Sequence, residues 1–290
     1  MIGIFRSKSE VDRHLSKRLF VAGRLSEEIK TFHRIADKID RLPGSELLEE
    51  GTFNAESLEI RDPVRISEVA KLLYQWGYVC FPSLVPYPLL NELRREFVAV
   101  LENGFRYGQA VDEFDASTTV RLLMAELDRS DLKATWDFFN SRIMNDFSRV
   151  YFRGEPFLFN YEIFVQETGP TESPPSGDLH FDKRHTLKFW IYLDDTPAEA
   201  GAMRIVPGSI REARGARMNH MARKAPLSRF DNIISVQNPE IPVAGPAGTV
   251  FIHDTDAVHG AGTVENGYRR RIMRGHCRTK RTQSWIEKNA

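Results

Sequence analysis

Leu179-His180-Phe181-Asp182 and, further on, Val258-His259-Gly260-Ala261-Gly262 are the stretches around which the rest of the chain is organised. On a strand, side chains alternate with period 2, so His180 and Asp182 face the same way. A second strand carrying His259 completes two imidazoles and one carboxylate. That donor set binds a metal on one face and leaves its remaining positions open. Three other histidines compete for the second place. His185 lies too close to the first pair to come from a separate strand, and His253 precedes an acidic turn. His276 lies well beyond both, and only His259 has the Gly-x-Gly that lets backbone pass close to a metal. An isolated His-x-Asp is more often a packing histidine beside an unrelated acid, so its flanks have to decide.

Downstream, Leu187-Lys188-Phe189-Trp190-Ile191-Tyr192-Leu193-Asp194-Asp195 is an aromatic and β-branched run that ends in acidic turn residues, hence a strand. Gly201-Ala202-Met203-Arg204-Ile205-Val206 is a short strand stopped by Pro207-Gly208-Ser209. Gly248-Thr249-Val250-Phe251-Ile252-His253-Asp254 is another, and Gly267-Tyr268-Arg269-Arg270-Arg271-Ile272-Met273 is basic and strand-like. From Phe157 on, short strands and turn signals alternate as they do in a sandwich or barrel.

Taken in order, His-x-Asp, Trp-x-x-Leu-Asp-Asp, Gly-x-x-x-x-x-Pro-Gly-Ser, Gly-Thr-Val-Phe, His-Gly-x-Gly and Gly-Tyr-Arg resemble the phytanoyl-CoA dioxygenase-like branch of the Fe(II)/2-oxoglutarate dioxygenases. The resemblance runs over roughly residues 66–278. It implies a mainly β, α+β fold: a double-stranded β-helix (jelly roll, cupin-like) with flanking helices and a helical N-terminal extension. Residues 1–60 would form the extension and 61–290 the oxygenase domain. His180, Asp182 and His259 would bind Fe(II), with 2-oxoglutarate and O2 as co-substrates and a small molecule as substrate.

The resemblance also implies the co-substrate's partners. Zinc would accept the same ligands, so the preference for iron rests on the basic strand. The distal carboxylate of 2-oxoglutarate needs a cation, and arginine offers a bidentate, permanently charged one. The Gly-aromatic-Arg pattern points to Arg269. The family's usual distance from the distal histidine points instead to Arg270, and alternation puts these two on opposite faces. Trp190 and, more weakly, Phe164 would line the co-substrate pocket, although a core tryptophan is an equal reading. Ala261 stands where the family often has a hydroxyl. Halogenating relatives have a small residue at the carboxylate position, so Asp182 favours hydroxylation or another oxidative outcome over halogenation. The rival readings are a jelly-roll metalloenzyme that does not use 2-oxoglutarate and a non-catalytic jelly-roll binding protein.

The whole chain fits this frame. Its 290 residues carry 40 basic and 40 acidic side chains, so the balance directs it to neither nucleic acid nor a membrane surface. Cys80 and Cys277 are its only cysteines, too few for a disulfide framework. With no signal peptide or membrane span in the sequence, a cytoplasmic location is expected.

Apolar stripes predict helices over Ser26–Ile39, from Ser67 to Gly77, from Pro88 to Gly104 and near 131–150. The proline-rich loop 169–177 is placed to cover the site. Between Arg204 and Lys224, six cations stand against the single acid Glu212. Beside a cleft they would draw in an anionic substrate; on a solvated helix they would do nothing of the kind.

Overall fold

A computed structural model describes residues 63–103, 110–114, 116–222 and 239–289. The expected helical extension at 1–60 lies outside them. Helix α1 (Pro63–Trp76) packs Val69, Ala70 and Leu73 inward and stops at Gly77. Gly77 has φ +87°, and a Cβ there would collide with Ala257. Strand β1 (Tyr78–Phe81) follows directly. Helix α2 (Tyr87–Glu102) carries Pro88 in its first turn, where the missing N–H costs nothing, and buries Leu90, Leu93, Phe97 and Val100.

The next elements depart from expectation. Strands β2 (Ala110–Phe114) and β3 (Ser117–Leu123) form a hairpin in a region where no strand was expected. The single helix expected near 131–150 is two, α3 (Lys133–Phe139) and α4 (Arg142–Tyr151). The break falls at Asn140, whose side-chain amide donates to the Trp136 carbonyl at 3.1 Å. A short polar side chain that bonds back to its own helix offers the backbone an alternative to continuing it.

The barrel then follows: β4 (Phe157–Thr168), β5 (Leu187–Tyr192), β6 (Met203–Ile205), helix α5 (Ile210–Ala222), β7 (Ile241–Val243), β8 (Val250–Asp254), β9 (His259–Gly260) and β10 (Arg270–Thr279). Helix α6 (Lys280–Asn289) closes the described chain. One sheet runs β1-β8-β5-β10-β4-β3-β2 and the other β7-β6-β9, and neighbouring strands in both pair antiparallel.

Period-2 alternation divides the large sheet's side chains between two cores. One face, with Ile163, Val165, Phe189, Ile191 and Met273, packs against Leu93, Phe97, Phe139 and Phe147 of the helices. The other, with Trp190, Tyr192, Phe251 and Ile272, meets Met203, Ile205 and Val243 of the small sheet. Each such side chain contributes roughly 1.5–3 kcal/mol by leaving water. Tyr192 also ties the sheets together, donating to the Val243 carbonyl at 2.8 Å and accepting from the Met203 amide at 3.1 Å. The architecture is the expected jelly roll with helices on one sheet. No helix among the described residues is long and apolar enough to cross a membrane.

Candidate metal centre

Residues 179–182 are not a continuous strand, as the sequence reading had them. His180 instead forms an isolated antiparallel bridge with His259. The two exchange backbone hydrogen bonds of 2.9 and 2.8 Å, which sets their imidazoles side by side with centroids 4.7 Å apart. The Asp182 amide donates to the Thr255 carbonyl at 2.9 Å, so the alternation survives. Phe181 turns into a core with Val206 and Val258, while His180 and Asp182 turn to the cavity.

Each ring is oriented by backbone. His180 Nδ1 donates to the Asp178 carbonyl at 2.6 Å, and His259 Nδ1 to the Ala257 carbonyl at 2.7 Å. A carbonyl only accepts, so both Nδ1 atoms carry the proton and both Nε2 lone pairs are free. Those nitrogens lie 3.7 and 3.5 Å from Asp182 Oδ1. The other oxygen, Oδ2, is held by Lys188 Nζ at 2.7 Å, so Asp182 presents one oxygen to the histidines.

Electrostatics prepare the same state. Burial works to raise the Asp182 carboxyl, but Lys188 and the two imidazoles outweigh it and hold it well below the usual carboxylate range. Burial lowers His259 and keeps it neutral. An ionised carboxylate and imidazoles that turn Nε2 toward it are what a divalent metal requires. The donor set fits iron, and its ligand atoms lie within 4.8 Å of one another.

The three competing histidines are engaged elsewhere. His185 approaches Asp254 at 3.1 Å, His276 approaches Glu162 at 3.0 Å, and His253 Nδ1 accepts from Trp190 Nε1 at 2.9 Å. His185 belongs to a second acidic cluster with Asp254 and Asp256, and there Arg214 supplies the positive charge.

The three ligands line a cavity of about 200 Å³ between the sheets, together with Phe164, Trp190 and Arg270. Arg269 does not reach it. Its side chain is 64% exposed and comes no nearer than 4.0 Å to Glu167. The strand begins at Arg270, not Gly267, and pairing with Thr168 turns Arg270 inward. Arg270 donates to the Gly201 carbonyl at 2.5 Å and leaves Nε unbonded. Arg271 turns outward and grips Asp194 at 2.5 and 2.7 Å.

Other lining residues were not singled out from sequence: Lys188, Arg274, Thr119, Gln166 and Ser176. Period 2 already put Lys188 on the face of Trp190, and Arg274 on that of Arg270. Pro175 and Ser176 bring the proline-rich loop to the cavity, as expected. Ala261 lines it too and contributes no hydroxyl.

The basic segment behaves differently from the anion-steering expectation where it is described. Arg204 pairs with Glu240 at 2.9 Å, and Arg214 with Asp254 and Asp256 at 2.7 and 2.6 Å. Arg223 and Lys224, and the side chain of Arg217, lie outside the described residues. The paired arginines supply no free charge to steer an anion.

Comparison with known proteins agrees with this geometry. A family model, Phytanoyl-CoA dioxygenase (PhyH), matches residues 73–272. A protein of Stutzerimonas stutzeri described as a probable alpha-ketoglutarate-dependent hypophosphite dioxygenase is 31% identical over 114 residues, 34% of this chain and 40% of the relative. The match thus spans well under half of that relative's length.

Two solved structures share the fold. The non-haem alpha-ketoglutarate-dependent epimerase SnoN of nogalamycin biosynthesis is 19% identical with a TM-score of 0.53, over 75% of this chain and 84% of that one. The carbocyclase SnoK of the same biosynthesis is 21% identical with a TM-score of 0.54, over 78% and 86%. SnoN has also been solved with Fe3+, alpha-ketoglutarate and nogalamycin RO. With the family model matching residues 73–272, well over half of its length, this chain belongs to the phytanoyl-CoA dioxygenase family.

Proposed function

We propose that the chain is a non-haem Fe(II)- and 2-oxoglutarate-dependent dioxygenase that hydroxylates a small molecule. The observation that carries this is the shared cavity: three convergent metal donors and the buried Arg270, which has no carboxylate partner among the described residues. A permanently charged group buried without a counter-ion is costly, and the distal carboxylate of 2-oxoglutarate neutralises it. Iron, when bound with that co-substrate and O2, supplies the oxidising chemistry, and 2-oxoglutarate leaves as succinate and CO2.

The chain's own contribution is placement. His180, Asp182 and His259 would hold the metal at the cavity wall. Lys188 keeps Asp182 ionised and confines it to one oxygen. Arg270 orients the co-substrate, with Thr119 and Gln166 offering the polar groups that Ala261 cannot. Trp190, fixed by His253 and stacked on Phe251 at 5.2 Å, forms a dry wall. The carboxylate of Asp182, in place of a small residue, favours hydroxylation over halogenation. Residues 61–290 are the catalytic unit, and the two buried, unpaired thiols suit a reducing cytoplasm.

The test is succinate formation from 2-oxoglutarate on adding Fe(II), ascorbate and O2, followed with the purified chain. Succinate that requires Fe(II) and vanishes in His259→Ala supports the reading. Iron binding without any consumption of 2-oxoglutarate would overturn it in favour of another metalloenzyme.

A further inference from the structure

Arg274 is the group in the cavity that the reading above leaves without a role. It lies on β10 between Phe164 of β4 and Trp190 of β5, paired in register with both. Its guanidinium carbon sits 4.7 Å from one ring centroid and 5.0 Å from the other. The two rings come from the strands on either side of β10, so the guanidinium lies between them. Its five N–H donors lie in one plane, along its edge.

That edge has no partner among the described residues. Nε is buried and unbonded, and no hydrogen bond or ion pair engages the terminal nitrogens. The nearest acids are taken: Asp182 by Lys188 at 2.7 Å, and Glu162 by His276 at 3.0 Å and Tyr161 at 2.9 Å. Arg274 is nonetheless one of the residues facing the cavity with His180, Asp182 and His259. Three cations, Lys188, Arg270 and Arg274, line it against the single carboxylate Asp182. Lys188 is matched by Asp182, and the distal carboxylate of 2-oxoglutarate matches Arg270. One positive charge remains, on a guanidinium held between two rings with no partner for its donors among the described residues.

We propose that Arg274 is a specificity-determining residue that binds an oxyanion group of the primary substrate, a carboxylate, sulfonate or phosphorus oxyanion, beside the metal centre. This rests on the oxygenase reading and names its substrate class. A planar fork held between two rings loses little freedom on binding, so it suits a two-point contact with such a group. The anion preference thus arises inside the barrel, not from the basic segment after Arg204.

The test is calorimetric titration of the full chain without O2, loaded with Mn(II) and then saturated with 2-oxoglutarate, using methylphosphonate, methanesulfonate and acetate as probes. At least one probe should bind with one-to-one stoichiometry. Arg274→Gln should weaken it about 30-fold or more, while shifting 2-oxoglutarate affinity less than about threefold. Arg270→Gln should do the reverse, and Arg269→Gln should change neither. Thermal melting of each variant confirms folding, and Arg274→Lys, which keeps the charge but loses the fork, should recover part of the binding.

The idea falls if no probe binds the loaded wild-type chain, or if Arg274→Gln binds probes as well as wild type. It falls equally if Arg274→Gln loses 2-oxoglutarate as severely as Arg270→Gln, since both arginines would then grip the co-substrate. If the wild-type chain takes up neither Mn(II) nor 2-oxoglutarate, the oxygenase reading fails first and takes this inference with it.

Discussion

Replacing Arg214 with alanine isolates a piece of the scaffold that the metal ligands do not touch. Arg214 reaches from α5 with Nε 2.6 Å from Asp256 Oδ2 and Nη2 2.7 Å from Asp254 Oδ2, its side chain 18% exposed. Both carboxylates are buried, and Asp254 also receives the Tyr151 hydroxyl and faces His185 at 3.1 Å. Removing the guanidinium leaves two buried acids next to each other without their main counter-charge. Breaking a buried pair in this way costs about 3–5 kcal/mol, which for a domain of this size lowers Tm by roughly 10 °C.

The pH dependence has a definite sign. Burial pushes the Asp254 carboxyl up, but His185 and Arg214 outweigh it and hold it below its ordinary 3.8. A depressed carboxyl contributes stability that is present above about pH 4 and is lost as pH falls through the folded value. In Arg214→Ala the folded value rises, so a proton can take the place of the lost cation. Scanning calorimetry of wild type and variant from about pH 8 to pH 4.5 should therefore show a Tm gap that is full at the top and narrows toward acid. A gap under about 2 °C at neutral pH, or one that widens on acidification, would refute the reasoning.

Three further substitutions have definite expected outcomes. Arg270→Ala should raise KM for 2-oxoglutarate about 30-fold or more, the loss expected for one partner of a buried charge pair, with Fe(II) affinity by equilibrium dialysis nearly unchanged. Arg269→Ala should leave both alone. Gly201→Ala should destabilise the chain by roughly 1–3 kcal/mol in denaturant titration, because Gly201 has φ +77° and a Cβ there would meet Val264 Cγ2 at 2.6 Å; a variant as stable as wild type contradicts that contact.

Period-2 and period-3.6 patterns made most of the barrel legible, because those patterns record local geometry. What they missed, spacing alone does not record. The stripe Leu132, Trp136, Phe139, Ile143, Phe147 keeps helical spacing across the break at Asn140, so spacing alone could not reveal the hydrogen bond that interrupts it. The hairpin β2–β3 did carry a signal, the β-branched Thr118-Thr119-Val120, in a stretch between two expected helices to which no element was assigned. Arg269 and Arg270 differ by one residue. Alternation correctly set them on opposite faces, but which face looks inward depends on pairing Arg270 with Thr168, far away in sequence. Lys188 and Arg274 were passed over for a similar reason. A charged residue in a strand ordinarily marks the solvent face, and only the second sheet turns that face into a cavity wall.

The most direct measurement is a crystal structure of the chain grown without O2 and soaked with Fe(II) and 2-oxoglutarate, with iron located by anomalous scattering. The expected result is one iron within about 2.0–2.2 Å of His180 Nε2, Asp182 Oδ1 and His259 Nε2, with the distal carboxylate of 2-oxoglutarate on the Arg270 guanidinium. Iron bound at the His185, Asp254 and Asp256 cluster, or a triad that stays empty while 2-oxoglutarate binds elsewhere, would contradict the account.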